Sequence, residues 1–166
     1  MKVYFDFLLK DGKAIVGAYG YKDELKLEIK KINIVDNPAY NQYHFSLLAL
    51  IEALKLIDEV KTEDNFELLN QNKVIQDWIL KGNVKIEYEE LYLNVINSLQ
   101  NILAYKNVSY ALIESKTNKA RKLLKAEKIN IPSCDSKLSL NNIFNIKSDV
   151  KKVSGDNIVH IEKFKI

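Results

Sequence analysis

Between Asn41 and Glu59 the residues Phe45, Leu47, Leu48, Ala49, Leu50, Ile51, Ala53, Leu54 and Ile57 cover most of the circumference of a helix. A helix that is apolar nearly all round belongs in the centre of a fold, not on its rim. Its longest apolar run, Leu47 to Ile51, is far short of the roughly 20 residues a membrane span requires. The helix is therefore expected to be the core of a water-exposed domain, and no membrane partner is expected.

The remaining pattern supplies sheet and further helices. Val3 to Leu9 is rich in β-formers, and Lys10-Asp11-Gly12-Lys13 is a hairpin turn signal. Ala14 to Tyr21 reads as a second strand, with Gly17 and Gly20 allowing close backbone approach. After a turn at Lys22-Asp23-Glu24, the alternation of Leu25, Leu27 and Ile29 with Lys26, Glu28 and Lys30 predicts a half-exposed third strand to about Ile34. Asp36-Asn37-Pro38 breaks that pattern before the long helix. Phe66 to Leu69 is a short fourth strand, and Asn70 or Asn72 is placed to cap a helix carrying Val74, Ile75, Trp78 and Ile79 that stops near Gly82. An amphipathic helix from Tyr88 to Ala104, a strand from Val108 to Ile113 and a helix from Asn118 to Glu127 complete the order. Helical crossovers after the third strand make the later pairings parallel, so the sheet is mixed. Beyond Pro132 the character changes to a linker, and the segments flanking Ser154-Gly155-Asp156-Asn157 predict a terminal hairpin that must pack on the domain or on another chain. The expected division is a domain over 1–128 and an extension over 129–166.

A chain of 166 residues, 47% hydrophobic and 28% charged, fits one soluble domain with an appendage. Cys134 is the single cysteine, which excludes an internal disulfide and a cysteine-based zinc cage. No basic head followed by an apolar stretch opens the chain, so a secretory signal is not expected, and a reducing, cytoplasmic setting is the simplest reading. The net charge of +3 implies no partner by itself. Its distribution is uneven. Lys106, Lys116, Lys119, Arg121, Lys122, Lys125 and Lys128 face only Glu114 and Glu127 in their stretch, whereas acids dominate from Asp58 to Glu90. Arg121 is the only arginine, and a chain almost without arginine is not built for sequence-specific reading of DNA.

This element order, joined to particular residues, resembles the ribonuclease H family. Val3-Tyr4-Phe5-Asp6 is similar to the family's opening strand with its metal-binding Asp. Ser46-Leu47-Leu48-Ala49-Leu50-Ile51-Glu52-Ala53-Leu54 is similar to its Glu-Tyr-x-Ala-Leu-Ile-x-Ala-Leu helix start. Leu68-Leu69-Asn70-Gln71-Asn72-Lys73-Val74-Ile75 stands where the family has a strand ending in Asp-Ser and a helix beginning with Val. Asn118-Lys119-Ala120-Arg121-Lys122-Leu123 resembles Asn-x-x-Ala-Asp-x-Leu, one residue shorter. The resemblance covers roughly residues 1 to 127. It implies a ribonuclease H-like α/β fold: a five-stranded mixed sheet, three antiparallel strands and then two parallel, flanked by helices.

The departures fall on the chemistry. The family's four acids correspond to Asp6, Ser46, Asn70 and Arg121, so one carboxylate is retained. Phe7 follows the Asp where the family has Gly, and Gln42-Tyr43 replaces its Asn pair for the RNA strand. Two-metal hydrolysis needs Mg²⁺ ions about 4 Å apart, and Mg²⁺ is retained mainly by carboxylate charge. Ser46 and Asn70 offer uncharged oxygen, and a fixed cation at Arg121 costs a nearby divalent ion several kcal/mol. No cofactor is expected on this reading, and Asp6 and Arg121 are expected to form an ion pair. Glu52 lies about 240° around the helix from Ser46 and Glu67 on the other side of its strand from Asn70, which leaves Glu114 as the best substitute acid. His44 and His160 read as edge residues, and the tyrosines as amphipathic packing before any base-stacking role.

The expected function is a non-cleaving module that binds RNA–DNA hybrid or RNA through Lys116, Lys119, Lys122 and Lys125, or a protein partner. A homodimer through the terminal hairpin is a form of the latter. The competing expectation is a divergent nuclease, dependent on Mg²⁺ or Mn²⁺, that cleaves RNA in hybrids.

Overall fold

The computed structural model describes residues 1–25 and 27–127. The expected hairpin around 154–157, and with it Cys134, His160 and Lys128, lies outside these residues. Strands β1 (Lys2–Lys10), β2 (Lys13–Lys22) and β3 (Leu27–Val35) form an antiparallel meander. The first turn is tight because Asp11 and Gly12 both take positive φ, 50° and 76°, the geometry a two-residue hairpin requires. The third strand begins later than the alternation predicts, since Asp23–Leu25 forms a turn of 3₁₀ helix.

Helix α1 (Gln42–Glu59) follows, then β4 (Asn65–Asn70), α2 (Lys73–Lys81), α3 (Glu89–Leu103), β5 (Asn107–Leu112) and α4 (Lys119–Ala126). The sheet order is β3-β2-β1-β4-β5, with β4 parallel to both β1 and β5. The mixed five-stranded sheet and the helix order are those expected from the sequence.

α1 lies against one face of the sheet, with Leu47, Leu50, Leu54, Leu56 and Ile57 inaccessible to solvent and packed with Val3, Phe5, Val16 and Leu68. Each such side chain stabilises the fold by about 1.5–3 kcal/mol, which is why this segment tolerates so little polarity. Asn41 starts the helix by accepting from the Tyr43 N–H, while His44 Nδ1 accepts from the Asn41 N–H. This reciprocal cap accounts for His44, which also stacks on Tyr40 at 4.5 Å between ring centres.

The far end of α1 holds a surprise in the basic run. Lys106 is buried, donates to the Ile57 and Val60 carbonyls and lies over the Phe66 ring. It satisfies carbonyls that the helix end leaves open, and burial lowers its pKa. Lys106 is therefore part of the packing, not of a basic surface.

α4 covers the other sheet face, where Ala120 and Leu124 are buried and Tyr4, Tyr19 and Leu69 form a small second cluster. Gly17 makes this approach possible. A Cβ there would meet the Lys31 carbonyl at 2.9 Å and Leu124 Cδ2 at 3.0 Å. Gly17 stands opposite Asp6 in the β1–β2 register, so the same close packing seats α4 beside Asp6.

Candidate functional site

The parallel ladder between β1 and β4 runs from Lys2↔Glu67 to Tyr4↔Leu69 and ends there. The Phe5 carbonyl next along β1 accepts instead from two side chains: Asn70 Nδ2 at 2.6 Å and Asn118 Nδ2 at 3.0 Å. Amide groups thus occupy the place where the strands part. This junction brings together the middle of β1, the end of β4 and the starts of α1, α2 and α4.

Asp6 sits at its centre with a side chain only 1% exposed. Its Oδ1 accepts from the Phe7 N–H at 2.9 Å and from Gln71 Nε2 at 3.0 Å. Its Oδ2 lies 2.8 Å from Arg121 Nε, yet neither atom has a hydrogen bond by direction. The contact is a close ion pair whose N–H does not point along the separation. Burial raises the Asp6 pKa above the ordinary carboxylate value, and the Phe7 N–H, the Arg121 charge and the Gln71 amide oppose that rise.

Each neighbouring polar group is committed to the protein. Asn70 Oδ1 accepts from the Asn72 N–H at 2.7 Å, so both ends of its amide are engaged. Ser46 donates back along its helix to the Gln42 carbonyl at 2.8 Å and accepts from Asn72 Nδ2 at 3.2 Å. Asn72 also caps α2 by accepting from Val74 N–H at 3.0 Å, which decides between the two candidate caps. Asn118 caps α4 through Oδ1 and donates through Nδ2 to Gln71 Oε1 at 2.7 Å. Arg121 Nη1 donates to Ser115 Oγ at 2.6 Å.

Asp6, Ser46, Asn70 and Arg121 therefore gather around one junction, as the resemblance implies, and the expected Asp6–Arg121 ion pair is present. Gln71, Asn118 and Ser115 were not singled out by the sequence reading as members of this network. Asn118 stands at the expected start of the last helix, whereas nothing in the local sequence marks Gln71.

The substitute acids lie elsewhere. Glu114 is 68% exposed and pairs with Lys116 at 2.6 Å, and Glu52 pairs with Lys55 at 2.8 Å. Among the described residues no three His, Cys, Asp or Glu side chains come together.

The four lysines expected to meet nucleic acid are not equivalent. Lys119 folds onto the Tyr21 ring, 3.5 Å from its centre, and Lys116 is held by Glu114. Lys122 and Lys125 stand exposed on α4. Tyr4 and Tyr19 are buried beneath that helix, so neither offers a stacking face.

A cleft of about 330 Å³ opens beside the junction, lined by Phe7, Gln42, Tyr43, Ser46, Gln71, Asn72, Lys73, Val74 and Arg121. Its wall carries two cations and no acid.

No protein-family model matches the sequence, and no curated protein matches it. Solved structures do. RNase H1 from the halophilic archaeon Halobacterium salinarum is similar at 16% identity and a TM-score of 0.60, over 74% of this chain and 92% of that one. The N-terminal RNase H domain of rv2228c from Mycobacterium tuberculosis gives 13% identity and a TM-score of 0.61, over 75% and 93%. LC11-RNase H1, solved in complex with an RNA/DNA hybrid, gives 16% and 0.58, over 74% and 91%. At these identities the likeness is one of fold: the chain has the ribonuclease H-like fold.

Proposed function

We propose that this ribonuclease H-like domain binds nucleic acid without cleaving it and without a divalent ion. The observation that carries the reading is the Asp6–Arg121 ion pair, which puts a guanidinium where the resembled family places a carboxylate. The donor set does not fit a pair of Mg²⁺ ions. Asp6 is a single carboxylate already neutralised, Asn70 presents an N–H toward the Phe5 carbonyl, and Ser46 is uncharged and bonded to its own helix. Hard divalent ions need several anionic oxygens on a common centre.

Binding of nucleic acid is supported by the fold shared with a protein solved on an RNA/DNA hybrid, and by exposed Lys122 and Lys125 on α4. Such contacts to phosphate release counterions, so affinity falls steeply with salt. No helix among the described residues is long and apolar enough to cross a membrane.

The test is a gel-shift titration with hybrid, RNA duplex and single strands in EDTA at two salt concentrations, followed by incubation with Mg²⁺ or Mn²⁺. The expected result is salt-sensitive binding with intact strands afterwards. Cleavage that disappears in Asp6→Asn would overturn the reading in favour of a divergent metal-dependent ribonuclease. No binding to any nucleic acid at low salt would leave a protein partner as the better answer.

A further inference from the structure

We infer that the cleft beside Asp6 is an anion site that takes the phosphate of a nucleotide, free or within a strand, directly on Arg121 and Lys73. The inference rests on the metal-free reading of the same junction and names what replaces the metal. Arg121 spends Nε on Asp6 and Nη1 on Ser115. Its Nη2 bonds to no described residue, and its side chain is 36% exposed. Lys73 is exposed and makes no ion pair with any described acid. Both line a cleft of about 330 Å³ whose wall holds no carboxylate. Counting Asp6 behind Arg121, the charge facing the cleft is one net positive, opposite in sign to what a metal-binding acid cluster presents.

The rest of the wall suits an organic phosphate better than a bare ion. Gln42 offers an amide group near the cations, while Phe7 and Tyr43 give an aromatic side against which a base or sugar can lie. The volume is at the lower end of small-molecule sites, which admits one nucleotide unit. Arg121 is also held in place from two sides, so a phosphate would meet a guanidinium already oriented. The same phosphate can come from a free nucleotide or from a strand, and affinity separates the two.

The experiment is a calorimetric or NMR titration of the whole chain in EDTA with inorganic phosphate, a nucleoside 5′-monophosphate, and a short single strand. Lys73→Glu is the test variant, since an exposed lysine at a helix start can be replaced without unfolding the domain. Lys61→Gln, an exposed lysine just past the far end of α1 from the cleft, is the control. Saturable binding that weakens at least tenfold in Lys73→Glu and is unchanged in Lys61→Gln supports the site. A monophosphate that binds as well as the strand marks a free nucleotide as the ligand, and a strand that binds much better marks a nucleic-acid phosphate; either supports it. Equal affinity of wild type and Lys73→Glu, or no saturable binding of any of the three, overturns it. Binding that appears only after Mn²⁺ is added overturns the metal-free reading itself, and is distinguishable because the EDTA arm then stays empty.

Discussion

Arg121→Met is expected to destabilise the fold by about 2–3 kcal/mol at neutral pH, because it leaves a buried carboxylate without its countercharge. The size is set below that of a fully buried pair because Arg121 is partly exposed while Asp6 is not. The pH dependence is the more discriminating part. Burial holds the folded Asp6 pKa above the ordinary value, so stability tied to the neutral carboxyl is complete below the unfolded pKa of about 3.9. It is lost as the pH rises through the folded value. Removing the guanidinium takes away one contact that restrains the folded pKa, so the loss deepens and extends to higher pH. The deficit of Arg121→Met should therefore be large in urea melts at pH 7 and small near pH 4. A deficit equal at both pH values would mean that Arg121 acts by packing alone.

Asn70→Asp is expected to destabilise by about 2–4 kcal/mol at neutral pH, although it restores an acid found in the resembled family. The reason lies in one distance. Asn70 Nδ2 donates to the Phe5 carbonyl at 2.6 Å while Oδ1 accepts from the Asn72 N–H. A carboxylate fixed by the Asn72 N–H would set its second oxygen against the Phe5 oxygen, two acceptors in contact with no proton between them. Protonation would restore a donor, so the introduced carboxyl should titrate above the ordinary range. Stability is then present in acid and lost as the pH rises through that raised value. Urea midpoints at pH 4.5 and 7.5 measure this. An unchanged midpoint at pH 7.5 would show that the amide's donor role at the Phe5 carbonyl carries no weight.

Both results would follow from a junction in which a hydroxyl, an amide and a guanidinium surround the one carboxylate. The sequence made much of this legible. The apolar circumference of α1, the Asp11-Gly12 turn and the cap at Asn72 are local signals, and each marks an element within a residue or two of its place. The meander was readable because alternation and turns are encoded within a few residues of one another. The Asp6–Arg121 pair was readable only through the resemblance, since nothing near Asp6 points to a residue so distant along the chain.

What stayed hidden depends on contacts between remote segments. Asn118 reaches Phe5 across 113 residues, and Gln71 joins Asp6 to Asn118 although its neighbours mark only a helix start. Lys106 and Lys119 look like members of one basic surface. The fold buries the first at the end of α1 and lays the second on Tyr21. Charge counted along a sequence does not record which long side chains turn inward along apolar surface. Glu114 looked the most useful spare acid for the same reason, and it points to solvent with Lys116.

The most direct measurement is a Mn²⁺ titration of the whole chain followed by electron paramagnetic resonance, with Asp6→Asn in parallel. The expected spectrum is that of free Mn²⁺ throughout the low millimolar range, identical for both proteins. Two ions bound per chain, and released by Asp6→Asn, would contradict the account and return this junction to hydrolytic chemistry.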